Sequence, residues 1–251
     1  MNPRPVALVT GVSRRVGIGA AIAEALAADG WDVATTFWRG YDAAQPWGSA
    51  PDDLAAIEAC IAAQGARTVA VEADLADPDA PARVFDAVTE AMGQVAALVL
   101  NHTHCVVSDL LTTTLDSFDA HFAVNARASW LLVREYARRF TGEPGNGRIV
   151  AITSDHTAGN LPYGASKGAL DRIVLAAAHE LAPLGVTANV VNPGPTDTGW
   201  MSDELEASLA ARTPGGRVGL PADTARLVRF LCADAGRWVN GQLLYSNGAF
   251  V

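Results

Sequence analysis

Val6-Ala7-Leu8-Val9-Thr10-Gly11-Val12-Ser13-Arg14-Arg15-Val16-Gly17-Ile18-Gly19 runs from four apolar residues through a glycine-punctuated turn. Helical spacing follows at once: Ile22 and Leu26 lie four apart within Gly19 to Ala28. A buried strand, a glycine turn and a helix, in that order, begin a βαβ unit whose turn cradles a phosphate. Glycine lets the backbone fold tightly and approach an anion. The first N–H groups of a helix have no partner within it, so they supply donors and partial positive charge. Glycines alone are a weak signal; their place between strand and helix is what points to a nucleotide.

The same alternation continues outward. Strands are predicted at Asp32 to Phe37, Thr68 to Ala73, Val95 to Leu100, Arg148 to Thr153, Val186 to Val191 and Gln242 to Tyr245. Helices are predicted at Pro51 to Gln64, Pro81 to Met92, Asp116 to Phe140, Tyr163 to Leu181 and Leu220 to Leu231. Runs such as Val6 to Val9 are apolar without alternation, as strands buried on both faces should be. The expected fold is α/β, a doubly wound parallel sheet with helices on both faces, in a single domain spanning 1–251. The least regular stretches are Arg39 to Ala50 and Pro193 to Val218; the second carries the expected substrate loop, about 195–216.

Composition narrows the function. The 251 residues hold 18 Lys and Arg against 27 Asp and Glu, a formal net charge of −9. Such a chain lacks the basic patches that nucleic acid requires. No apolar run reaches the ~18 residues of a membrane span, and the N-terminus lacks a signal-peptide pattern. Cys60, Cys105 and Cys232 are odd in number and far apart, which argues for reduced thiols and against a disulfide framework or zinc site. A cytoplasmic enzyme acting on a small molecule is expected, with no metal, membrane or nucleic-acid partner.

The second strand ends Thr36-Phe37-Trp38-Arg39. Sites that prefer NAD place an acid about 20 residues beyond the glycines, on the ribose 2′-OH. Arg39 stands there instead, and Arg14 and Arg15 lie in the turn. A guanidinium fork suits a 2′-phosphate, so NADP(H) is the preferred cofactor, with NAD(H) possible.

Tyr163-Gly164-Ala165-Ser166-Lys167 opens a predicted helix, so Tyr163 and Lys167 share one face. A phenol titrates near ~10, and a nearby ammonium favours its ionised form. Ser154 precedes the pair at a strand end, where α/β sheets bind ligands. Taken together, these segments resemble the classical short-chain dehydrogenase/reductase family over essentially the whole chain, most nearly its 3-oxoacyl-carrier-protein reductase-like ketoreductases. The family's TGxxxGxG turn falls on Thr10 to Gly19 with two extra residues, and its acid after the third strand on Asp74. Its NNAG stretch falls on Asn101-His102-Thr103-His104 and its active-site Asn on Asn125. Its Ser and YxxSK fall on Ser154, Tyr163 and Lys167, and its PG motif on Pro193 and Gly194, with Thr196 and Thr198 beyond.

The resemblance implies a Rossmann-type fold and a homotetramer. It also implies that Tyr163 donates a proton to a carbonyl oxygen, and that Lys167 lowers the Tyr163 pKa and holds the nicotinamide ribose. Ser154 would hold the substrate oxygen, and Asn125 a relay water. Dinucleotide contacts would come from Gly11, Ser13, Arg14, Arg15, Gly17, Ile18, Gly19, Arg39, Asp74, Leu75, Asn101, Pro193, Gly194, Thr196 and Thr198. The implied activity is NADPH-dependent reduction of a ketone or 3-oxoacyl group. The alternatives are an NAD-dependent alcohol dehydrogenase, or a cofactor-binding protein that has lost turnover.

Two departures from the family pattern matter. NNAG has become Asn-His-Thr-His, and the stretch from Ser154 to Tyr163 is shortened. The expectation is a space beside the nicotinamide lined by His104 and His156, with Trp200 and Met201 as an apolar lid. Phe37, Trp38, Tyr41 and Trp47 are expected to pack the adenosine end or a neighbouring loop.

Overall fold

A computed structural model describes residues 4–250. β1 (Val6–Val9) runs through the middle of a parallel sheet, and all four of its residues are buried. Val6 and Leu8 enter one apolar core and Ala7 and Val9 the other, which is why the run needs no polar alternation. β2 (Asp32–Phe37) pairs with β1 on one side, and β3 (Thr68–Glu72) lies beyond it. β4 (Val95–Leu100), β5 (Arg148–Ile152), β6 (Thr187–Asn192) and β7 (Leu243–Tyr245) extend the other side. The order β3-β2-β1-β4-β5-β6-β7 reverses its direction of growth between β3 and β4. That switch opens a crevice beyond the carboxyl ends of β1 and β4, where such sheets bind ligands.

The helices are α1 (Ile18–Ala28), α2 (Arg39–Ala43), α3 (Pro51–Ala63), α4 (Ala80–Met92), α5 (Leu115–His121), α6 (Ala128–Arg139), α7 (Leu161–Glu180), α8 (Asp203–Ala211) and α9 (Pro221–Cys232). α4, α6 and α7 close the core around Leu8, Leu98 and Ile149; α1, α3 and α9 close the core around Val9, Val33 and Val99. The doubly wound sheet is therefore as expected, with strand ends within a residue or so of their predicted places.

Three local features differ from expectation. The long helix predicted at Asp116 to Phe140 is interrupted by a π-helical turn, Phe122–Arg127, between α5 and α6. That wider turn contains Asn125, and π-turns recur at functional sites. α8 was read as loop, yet Ser202 caps it by accepting from the Leu205 N–H at 3.3 Å, and Asp203, Glu204 and Glu206 fill its first turn. Ser202-Asp203-Glu204 was a readable start signal. α2 is a five-residue helix without a side-chain cap, too short for any periodicity to announce.

Candidate active site

The glycine turn packs backbone on backbone against the end of β4. Gly11 has φ +70°, and a β-carbon there would stand 2.6 Å from the His102 Cα. A β-carbon on Gly19 would stand 2.6 Å from the Asn101 Nδ2. Asn101 occupies that space, donating its amide to the carbonyls of Thr10 (3.0 Å) and Gly11 (2.9 Å). No side chain caps α1, and no acid lies in its first turn. Its leading N–H groups thus suit an anion, and the turn fits a dinucleotide pyrophosphate. Gly194 and Thr196 lie in the loop after β6, where the buried Thr196 hydroxyl donates to the carbonyls of Pro193 and Gly194.

His102 is buried, and both of its ring nitrogens are engaged. Its Nε2 lies 3.1 Å from the Val124 carbonyl, so that nitrogen carries the proton, and its Nδ1 accepts from the Thr10 hydroxyl at 2.7 Å. Burial, with Lys167 nearby, pushes its pKa down to about 3, and the ring stays neutral.

Tyr163, Ser154 and Lys167 come together as expected, with Thr103 added. The Ser154 and Thr103 hydroxyls lie near the Tyr163 phenol and favour its ionised form. Burial outweighs them and pushes its pKa well up, with the Cys105 thiol adding to the effect. Lys167 is not among the main influences on it. The Lys167 ammonium donates to the Ile152 carbonyl at 2.9 Å and lies 5.9 Å from the Tyr163 ring centre. Burial brings the Lys167 pKa down to about 8, opposed by Asp171 one turn along α7. Asn125 is fully buried, and its carboxamide is fully engaged. Its Oδ1 accepts from the His104 N–H (2.7 Å) and the Thr103 hydroxyl (3.3 Å). Its Nδ2 donates to the His104 carbonyl and the Ser166 hydroxyl, both at 2.9 Å. Asn125 is thus a clamp on the segment that carries Thr103, and its side chain has nothing left for a relay water.

The shortened loop closes down instead of opening a space. A β-carbon on Gly164 would overlap the His156 carbonyl oxygen, so the loop lies directly on the first turn of α7. His156 itself is exposed, its N–H donating to the Ser154 hydroxyl at 3.2 Å. Buried Asn160, at the loop's end, donates to the Cys105 sulfur at 3.3 Å, which makes Cys105 a wall residue of the site. The His104 ring packs edge-on between Tyr41 (5.7 Å) and His121 (4.7 Å), away from His102. Burial and His121 hold its pKa below the usual histidine value. Trp200 is 54% exposed, and Met201 is partly buried.

Two of the three arginines, Arg14 and Arg39, have engaged guanidinium groups. Arg14 donates to the Thr198 carbonyl at 2.8 Å and stacks 4.4 Å above the Trp47 ring. The Arg15 side chain is exposed, while its N–H donates to Asp53 at 3.1 Å. Arg39 pairs with Glu72 at 2.5 Å and lies over Phe37. An acid therefore does stand at the end of β2, delivered by the neighbouring strand: Glu72 is opposite Phe37 in register. Asp74 accepts from the Ala76 N–H, and Leu75 is buried in the core. Sequence reasoning missed Thr103 and Glu72. Of these only Glu72 carried a signal, as the last residue of a strand paired with β2. Tyr41 does pack against a neighbouring loop, the one after β4, as expected of the aromatic cluster.

A family model described as enoyl-(acyl carrier protein) reductase matches residues 11–250. The chain is 37% identical to an uncharacterized oxidoreductase of Bacillus subtilis, YjdA, over 98% of this chain and 96% of that protein. It is 36% identical to an Arabidopsis thaliana chloroplastic NADPH-dependent aldehyde reductase-like protein, over 98% of this chain and 94% of that one. Among solved structures, a short-chain dehydrogenase of Burkholderia cenocepacia J2315 in complex with NADP superposes with a TM-score of 0.86. It is 37% identical, over 99% of this chain and 98% of that one.

Two outcomes follow from this geometry. Gly164→Ala must push the loop off α7 and should cost about 1–3 kcal/mol, read as a lowered unfolding free energy; unchanged stability would mean that the loop does not rest there. For His102, the unfolded chain takes up a proton near 6.5 and the folded chain only near 3. Stability should therefore fall as pH drops through that window. His102→Asn, which keeps an acceptor for Thr10, should lose less melting temperature than the parent between about pH 7 and 5.

Proposed function

The chain belongs to the short-chain dehydrogenase/reductase family of oxidoreductases, and from that premise we propose that it reduces the carbonyl group of a small molecule, a ketone or 3-oxoacyl group, with NADPH. The observation that carries this reading is the buried Tyr163 phenol, with the Lys167 ammonium 5.9 Å from its ring centre and the Ser154 and Thr103 hydroxyls near it. A phenol whose pKa is raised by burial is fully protonated at neutral pH, the state required of a proton donor. Alcohol oxidation needs the ionised phenol, which burial opposes. Bound in the crevice, a nicotinamide dinucleotide supplies the hydride. Tyr163 donates its proton to the substrate oxygen as negative charge develops there. Ser154, already within reach of the phenol, holds the same oxygen. Lys167 binds the nicotinamide ribose with a charge that burial has made titratable. Asn125 and Ser166 fix the strand end and helix that carry Thr103 and Tyr163. The glycine turn and the α1 N-terminus hold the pyrophosphate, and Arg39 takes the 2′-phosphate.

The assembly we propose is a homotetramer. The outer face of α5, the π-turn and α6 forms a hollow lined by Phe122, Ala126 and Trp130, which a second copy would cover. No helix of the described residues is long and apolar enough to cross a membrane.

NADPH consumption with a panel of ketones, aldehydes and acyl thioesters tests the reading. Reduction of an enoyl thioester at its C=C bond, with every carbonyl left untouched, would overturn it. Tyr163→Phe keeps the ring and removes the donor, so kcat should fall by roughly 10²–10⁴ while NADPH still binds, as measured by titration calorimetry. In the parent, kcat/KM should be level through neutral pH and decline as pH rises through about 8, where Lys167 loses its charge. Lys167→Met should remove that limb.

A further inference from the structure

The stretch between β2 and α3 meets both the glycine turn and the loop after β4. Its root is tied to the end of β3 by Arg39–Glu72. From there α2 carries Tyr41 to the loop after β4, where its ring packs edge-on against His104, 5.7 Å away. Further on, Trp47 is oriented by donating its Nε1–H to the buried Asp42 at 3.1 Å. Its ring lies under the guanidinium of Arg14, which in turn donates to Thr198 in the loop after β6. Arg14 and Arg15 sit in the stretch where the glycine turn is two residues longer than the family pattern. The lengthened turn and the aromatic cluster thus meet each other.

These contacts join the glycine turn to the loop after β4 across the carboxyl ends of the two central strands. We propose that residues 38–48 form a strap across the dinucleotide groove, with Trp47 on Arg14 as its clasp and Tyr41 on His104 as its pin, and that its opening sets the rate at which the dinucleotide enters and leaves. The inference rests on the dinucleotide-dependent function proposed above. Each fastening is a single interaction, one cation–π stack and one edge-on ring contact, and each can open without unfolding the sheet.

A strap and an ordinary binding contact leave different kinetic marks. Loss of a contact raises the dissociation rate alone; loss of a strap raises association and dissociation together, because both pass through the open form. NADPH fluorescence in a stopped-flow instrument gives the association rate on mixing and the dissociation rate on displacement with excess NADP. Trp47→Leu should raise both rates by roughly two- to thirtyfold. Tyr41→Ala, which loses the ring contact with His104, should raise both by roughly two- to twelvefold. In each case Kd should change less than either rate. Trp47→Phe, which keeps an aromatic face for Arg14, should remain near parental rates. Melting temperatures confirm that the variants are folded. A folded Trp47→Leu and Tyr41→Ala pair with parental rates would overturn the strap, as would a rise in dissociation with association unchanged. If the parent binds neither NADPH nor NADH, the functional reading fails and the strap with it. If the parent binds and the variants behave like it, the strap alone fails.

Discussion

The site depends on a contact that leaves no room for side chains. Where β1 gives way to the glycine turn, the backbone at Gly11 lies against the main chain of His102, and Gly19 lies against Asn101. Thr10 makes this approach a fixed one, because its hydroxyl oxygen accepts the N–H groups of Asn101 and His102 and meets the His102 ring. The glycine turn, the end of β4 and the segment carrying Thr103 are thereby one rigid piece. The distance from the α1 N-terminus to Tyr163 is set by that piece and by the two central strands beneath it.

Around the reacting phenol, burial dominates the electrostatics. The Tyr163 phenol and Cys105 thiol are pushed up, and the Lys167 ammonium and His102 imidazole are pushed down. Every one of these shifts favours the uncharged form. Charge is kept at the other end of the crevice, where Arg14, Arg15 and Arg39 lie on partly open surface. The crevice therefore grades from a charged anion-binding end to a dry end suited to moving a neutral proton. Such a gradient aligns a dinucleotide by its phosphates and leaves the chemistry in a low-dielectric pocket.

Much of this was legible in the residues. Apolar runs without alternation gave the central strands, and the glycine turn between strand and helix gave the crevice. Tyr163, Lys167 and Ser154 converge as their positions at a helix start and a strand end require. What was not legible came from pairs distant in the chain. Glu72 reaches Arg39 only because β3 pairs with β2, and Tyr41 reaches His104 only because a five-residue helix turns it there. The shortened loop misled for a related reason. Removing residues suggests a gap, but Gly164 lets the remaining chain settle onto α7, and the gap is filled by backbone. His156 was carried outward with it.

The Arg39–Glu72 pair changes what it means for a phosphate to arrive. On a bare arginine, a 2′-phosphate would bring negative charge to an unneutralised cation. Here the cation already holds a carboxylate from its own chain, at 2.5 Å. If Arg39 takes the 2′-phosphate as proposed, binding would be an exchange of partners in which the phosphate displaces Glu72 into water. The paired site starts near neutral, so the step would be less sensitive to ionic strength than a count of arginines suggests. It also gives the protein a resident anion for times when no phosphate is present. On a surface with a formal charge of −9, that spares Arg39 from recruiting stray anions and keeps the position reserved for a ligand that outcompetes a carboxylate.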